Sequence, residues 1–239
     1  MFNTGRRGGR FGGHRGGYRR LTEIPESYDG ILSVATGVEE FVGSLTGADT
    51  GEVEKYITEI ISNRKFSEYL GENRGNRYGG FYGIGAVLGE MVYALCRKLE
   101  PESVVETGVS SGISSSYILC ALEENKKGNL YSIDLPWGED SGWIIPDYLR
   151  HRWHLELGSS SEKLPPLLGK LGTIDIFFHD SEHSYQNMLR EYETVWAYLK
   201  KSGILLSHNI SHSRAFPDFC ESSGVKGLLL GDMGGIVKI

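Results

Sequence analysis

Val104-Val105-Glu106-Thr107-Gly108-Val109-Ser110-Ser111-Gly112-Ile113-Ser114-Ser115 is the stretch around which the rest of the chain is organised. Two β-branched residues open it as a short buried strand. Gly108 then permits a turn or a close backbone approach that other residues resist. Ser114 and Ser115 open an apolar-periodic segment (Ile113, Tyr117, Ile118, Ala121, Leu122) suited to a helix packed on a sheet. A strand that feeds a helix through a glycine loop gathers free backbone N–H groups and the positive end of the helix dipole. Glu106 changes what such a spot can bind: a carboxylate repels phosphate and suits a ribose or a cationic group. The expected ligand is a nucleoside-bearing cofactor. Ser110 holds the second glycine position of the dinucleotide fingerprint G-x-G-x-x-G, so that fingerprint is not met. Taken alone, the stretch also fits any strand–glycine–helix joint of an α/β protein.

The 239 residues are enough for one large domain or two small ones, and 39% apolar with 23% charged residues is ordinary for a globular protein. Three widely spaced cysteines, Cys96, Cys120 and Cys220, with no C-x-x-C, argue against a disulfide framework and a structural zinc. No apolar run approaches a bilayer span and no signal-peptide core is seen, so a cytoplasmic location without membrane contact is expected. Charge is unevenly spread. Residues 1–20 hold six Arg and no acid, which leaves 19 Lys and Arg against 31 Asp and Glu, a net of −12, on residues 21–239. An acidic body disfavours a surface that tracks phosphates.

Three segments follow. Residues 1–20, with seven Gly, six Arg, Phe11 and Tyr18, read as a disordered Arg/Gly-rich tail capable of weak RNA contact or of simple solubilisation. Residues 21–100 read as a helical N-terminal extension. Val53, Tyr56, Ile57, Ile60 and Ile61 make one helix face, and a second helix from about Ala86 to Leu99 carries Val87, Met91, Val92 and Leu95 as its apolar side. Between them lies a Gly/Tyr-rich connection with Tyr78, Phe81 and Tyr82. Such helices would cover one sheet face or pair two subunits of a homo-oligomer. Residues 101–239 alternate strand and helix, with strands near 103–107, 129–134, 154–158, 174–179 and 203–208. A strongly amphipathic helix occupies 184–200. Val225–Leu230 and Ile236–Ile239, joined through Gly231 to Gly235 with no helix between, close the chain as an antiparallel hairpin. The fold class is α/β, a doubly wound and mostly parallel sheet.

In such a sheet ligands bind beyond the carboxyl ends of the strands, where strand order reverses. Five strand ends are polar in this chain: Glu106 and Gly108; Asp134, an acid suited to ribose hydroxyls; Ser159 and Ser160, small enough to let an adenine approach; His179 to His183; and Ser207, His208 and Asn209. Asp180, His208 and Asn209 together offer a carboxylate, an imidazole and an amide to a divalent metal, oxygen donors favouring Mg²⁺ or Ca²⁺ and the imidazole favouring Mn²⁺, Fe²⁺ or Zn²⁺. His208 and Asn209 equally suit a strand cap. His183 is a metal ligand or a general base, since an ordinary imidazole accepts a hydroxyl proton near neutral pH. Strand alternation turns His179 away from Asp180.

These residues resemble the class I S-adenosylmethionine-dependent methyltransferases, and within them the metal-dependent catechol O-methyltransferase-like branch that acts on small molecules. The resemblance covers about residues 84–239 and rests most on Glu106-x-Gly108-x-x-x-Gly112-x-Ser114-Ser115. It implies a seven-stranded sheet with a terminal antiparallel hairpin. It also implies that Gly108, Ser110, Gly112 and Ser114 surround the methionine part of the cofactor with Glu106 close by. Asp134 would take the ribose hydroxyls, and Ser159 and Ser160 the adenine. Asp180 would count among the catalytic and the cofactor-binding residues, and would hold an Mg- or Mn-type ion with Asn209. His208 replaces the second aspartate of that branch. His183 stands where the branch has its catalytic lysine. The stretch Pro136 to Trp153, with Trp137, Trp143, Tyr148 and Trp153, is an acceptor pocket, a lid or sheet packing.

The expected activity is transfer of the sulfonium methyl to the hydroxyl of a small-molecule acceptor. Three rival readings remain at this point: an RNA-directed methyltransferase using the tail, a cofactor-binding subunit without catalysis, and a relative running iron chemistry at Asp180 and His208.

Overall fold

A computed structural model describes residue 28 and residues 30–73, 85–136 and 141–239. The Arg/Gly tail, Tyr78, Phe81, Tyr82 and Trp137 lie outside them. Eight strands form one sheet: β1 Leu32–Val34, β2 Ser103–Thr107, β3 Asn129–Asp134, β4 Trp153–Leu157, β5 Ile174–His179, β6 Leu199–Ser207, β7 Gly227–Leu230 and β8 Met233–Val237. Their order is β1-β7-β8-β6-β5-β2-β3-β4. All neighbours run parallel except β8, which is antiparallel to both β6 and β7. The sheet thus has the expected doubly wound, mostly parallel form and closing hairpin, with eight strands in place of seven. The extra one is β1, three residues that pair Leu32, Ser33 and Val34 with Gly227, Leu228 and Leu229. It is too short to show a period of two.

Two layers of helices bury the sheet. On one face lie α1 Val38–Thr46, α2 Thr50–Ser62, α3 Arg64–Asn73, α4 Ala86–Leu99 and α5 Ile113–Asn125. They enclose Val104, Ile176, Phe178, Ile204 and Leu206. On the other lie α6 Ser160–Leu171, α7 Tyr185–Trp196 and α8 Ala215–Ser223, over Val105, Phe177, Leu205 and Ile236. Alternate residues of β2 and β5 therefore feed different cores, which is why consecutive residues, Val104-Val105 and Ile176-Phe177-Phe178, are apolar. The N-terminal helices act as a cover for one sheet face, and α2 starts with a capping box between Asp49 and Glu52.

Several boundaries and faces differ from the sequence reading. Ile61 and Val87, assigned to buried helix faces, are each 59% exposed, because only one side of α2 and α4 meets the sheet layer. Leu199 begins β6 and does not end α7. Met233, Gly234 and Gly235, read as loop, lie within β8. The reason is steric: a Cβ on Gly235 would stand 2.6 Å from Leu45 and 2.9 Å from Phe41, so glycine lets the strand pack this closely under α1.

Candidate active site

Strand order reverses between β2 and β5, and the carboxyl ends of β2, β3, β5 and β6 meet there. The β2 loop is held from its first residue. Gly108 donates its N–H to Ile133 O at 2.9 Å, and Asp180 donates its N–H to Thr107 O at 2.8 Å. Gly108 has φ +85°, and a Cβ on it would run into the carbonyl of Asp180. The β5 end therefore approaches the glycine loop more closely than any side chain would allow.

Asp134, at the end of β3, accepts the Ser110 N–H at 3.1 Å and the Leu135 N–H at 3.0 Å. Ser110 itself is exposed and left-handed, φ +49°, a strained conformation of the kind that collects at ligand-binding loops. Gly158, after β4, donates to Asp134 O at 2.8 Å, which brings the Ser159 and Ser160 start of α6 beside the same acid. Segment 142–145 lies along the loop: Gly142 donates to Ser110 O at 2.8 Å and Ile144 to Ser111 O at 3.0 Å. Ile144 and Ile145 are fully buried, while Trp143, Tyr148 and Trp153 pack against the core. This part of the Pro136–Trp153 stretch is sheet packing that also closes over the glycine loop.

Glu106 is fully buried. Its carboxylate accepts from Ser114 Oγ at 2.5 Å, Ser115 Oγ at 2.6 Å and Ser132 Oγ at 2.9 Å, and Ser132 in turn accepts from Trp153 Nε1 at 3.0 Å. Burial raises its pKa to about 7, with the hydroxyls opposing and Asp180 adding to the rise. Glu106 thus supports the loop from beneath, and Ser114 points inward to it.

At the other side of the switch point Asp180, His183, His208 and Asn209 come together. His208 Nδ1 lies 2.9 Å from Asp180 Oδ1, and Asn209 Nδ2 donates to His183 Nε2 at 2.9 Å. Burial opposes a charge on His208, but the hydrogen bond and charge of Asp180 outweigh it and raise its pKa. His183 goes the other way, to about 4, through burial first, with Asp180 opposing and His179, His212 and His208 reinforcing the fall. Its Nδ1 is enclosed with no hydrogen-bond partner among the described residues. The His212 ring stands 5.3 Å from that of His183.

The metal expected at Asp180, His208 and Asn209 does not fit this arrangement. Asp180 is paired with an imidazole, Asn209 presents N–H to His183, and no three His, Cys, Asp or Glu side chains among the described residues are gathered to ligate an ion. The physical reason is the replacement of the branch's second aspartate by His208. It removes one negative charge and turns the other inward.

Residues 105–210 match the family model described as a methyltransferase domain. The match covers 106 of the 239 residues. It contains both halves of the site, from Glu106 to Asn209. The fold is shared with solved methyltransferases. A methyltransferase of Podospora anserina, solved with SAH bound, aligns over 79% of this chain and 94% of its own at 16% identity and a TM-score of 0.56. An O-methyltransferase of Bacillus cereus in complex with SAH aligns over 84% and 97% at 12% identity and a TM-score of 0.54. No curated protein sequence matches the chain. No helix among the described residues is long and apolar enough to cross a membrane.

Residues 105–210 also hold polar residues that the sequence reading passed over. Glu191 on α7 is 1% exposed and accepts from Thr107 Oγ1 at 2.5 Å, Ser181 Oγ at 2.7 Å and Asn187 Nδ2 at 3.1 Å, with His179 Nδ1 2.7 Å away. Burial by itself would raise its pKa, yet His179, Ser160 and Thr107 hold it down at about 2. A signal was available: Glu191 falls inside the apolar stripe of Met188, Tyr192 and Val195, and a buried carboxylate requires partners.

Proposed function

We propose that this chain transfers the methyl group of S-adenosylmethionine to a hydroxyl oxygen of a small molecule. One observation carries the reading. The Ser110–Asp134 corner, suited to a ribose, and the Asp180–His183–His208–Asn209 group, suited to holding a hydroxyl, stand at adjoining carboxyl ends on either side of the switch point, joined where Gly108 meets Asp180. The likeness to the Bacillus cereus O-methyltransferase supports oxygen as the acceptor atom. The sulfonium methyl is already activated, so catalysis consists of alignment for in-line attack and removal of the hydroxyl proton. Gly108 and Ser110 cradle the methionine part, Asp134 takes the ribose, and Ser159 and Ser160 face the adenine. Asp180, paired with His208, orients the acceptor. His183, neutral at pH 7, takes the proton at Nε2 once the acceptor hydroxyl displaces the Asn209 amide from it. Transfer leaves S-adenosylhomocysteine as a neutral thioether and the proton on the imidazole, from which water removes it. No metal enters these steps.

The test is calorimetry with S-adenosylhomocysteine on the full chain, followed by tritiated-methyl transfer to a panel of hydroxylated small molecules and to RNA. Binding is expected, with Asp134→Ala weakening it at least about tenfold, the value of a hydrogen bond to a charged group. His183→Ala is expected to lose turnover while keeping cofactor affinity. No binding by the full chain refutes the reading. Labelling of RNA alone, abolished by deleting residues 1–20, would replace it with an RNA-directed activity.

A further inference from the structure

Glu191 does more than satisfy buried hydrogen bonds. Its four partners come from three separate parts of the fold. Thr107 is the last residue of β2, and its carbonyl takes the Asp180 N–H. His179 is the last residue of β5, and Ser181 follows Asp180 in the loop beyond it. Asn187, on α7 itself, extends the reach. Its Nδ2 also donates to Glu182 O at 3.0 Å, and Ser160 Oγ lies 3.4 Å from its Oδ1. The start of α6 is thereby fastened to the same carboxylate. The helix that carries Glu191 cannot shift easily, because Met188, Tyr192 and Val195 on its face are fully buried.

We infer that Glu191 is a positioning residue for the cofactor. A single fixed charge on α7 presets the glycine loop after β2, the loop after β5 and the Ser160 end of α6 in their binding arrangement before any ligand arrives. The inference rests on the proposed S-adenosylmethionine reading of the site. Its chemistry is that of a hub. Three loop segments that would each lose freedom on binding are already ordered by charge-assisted hydrogen bonds, so the ligand meets a prebuilt surface. Glutamine has nearly the same shape and cannot do this. With Oε1 turned to Ser181 and Asn187, its Nε2 would face Thr107 Oγ1 and His179 Nδ1, both of which donate to the carboxylate in the native chain. The Thr107 hydroxyl would have to turn round and His179 would have to move its ring proton to Nε2.

The experiment is calorimetric titration of S-adenosylhomocysteine into the full chain and into Glu191→Gln, Ser181→Ala, Asn187→Ala and the doubles Glu191→Gln/Ser181→Ala and Glu191→Gln/Asp134→Ala. Each is measured well below its own Tm, with folding checked by circular dichroism. Glu191→Gln is expected to raise Kd about tenfold or more, and Ser181→Ala and Asn187→Ala by smaller factors. Ser181→Ala is expected to add nothing once Glu191 is changed. Asp134→Ala, which acts on the ligand directly, multiplies with Glu191→Gln. A merely structural role lowers Tm and leaves Kd of the folded protein unchanged. A Kd for Glu191→Gln within about twofold of the native value, or full multiplication of its effect with that of Ser181→Ala, overturns the inference. Should Glu191→Gln not fold, native Kd values in both Ser181→Ala and Asn187→Ala overturn it equally. Binding by the native chain with no loss in the variants removes the positioning role alone, whereas no binding by the native chain removes the cofactor reading and this inference with it.

Discussion

Glu106 gives the chain a stability profile that a single substitution isolates. Fully enclosed beneath the glycine loop, its carboxyl has a pKa raised from 4.5 to about 7. The folded state then keeps a proton that the unfolded chain has already lost. The sign follows from this linkage. Below about 4.5 the carboxyl is protonated in both states. As pH rises toward 7 the folded protein must either retain the proton against solvent or bury a charge, so stability falls, and above about 7 the loss is complete. The gap between 4.5 and about 7 corresponds to about 3 kcal/mol, most of it lost between about pH 5 and about pH 8. Full burial of the group means that solvent screening takes little from this figure. Glu106→Gln keeps the shape and is neutral at every pH. Its amide obliges one of Ser114, Ser115 or Ser132 to turn its hydroxyl, an offset that does not change with pH. Urea denaturation of both proteins without cofactor, at about pH 5 and about pH 8, is therefore expected to show the difference between them moving by about 3 kcal/mol in favour of the variant at the higher pH. Other titrating groups cancel in that difference. Parallel profiles, with the difference constant within about 0.5 kcal/mol, would refute a carboxyl raised by burial.

Two further outcomes follow from the same geometry. Gly108→Ala places a Cβ against the Asp180 carbonyl at φ +85°, and a loss of at least about 2 kcal/mol on urea denaturation is expected; an unchanged midpoint would mean that β2 and β5 are not so close. Because Asp180 is turned onto His208, adding Mg²⁺ or Mn²⁺ to chelator-treated protein is expected to move Tm by less than about 1 °C, and a rise of several degrees would show an ion holding the folded state.

The alternation of apolar runs with amphipathic segments fixed the doubly wound sheet and its closing hairpin, because an element buried on two faces or one leaves a period that local reading detects. The polar residues at successive strand ends were equally legible, since Glu106, Asp134, Asp180 and Asn209 each lie at or just beyond the carboxyl end of a strand. What the amino-acid order could not supply is which of these side chains would face a ligand and which would face one another. Thr107 and His179 are 72 positions apart and become neighbours only when β2 pairs with β5. With that pairing Glu106 falls among three hydroxyls, Asp180 meets His208 in place of a metal, and Glu191, hidden in the apolar stripe of α7, becomes the anchor of three loops. Periodicity is a property of neighbouring residues, so the sequence determines it by itself. Hydrogen-bond partnership between strand ends depends on sheet order, which exists only in the tertiary structure.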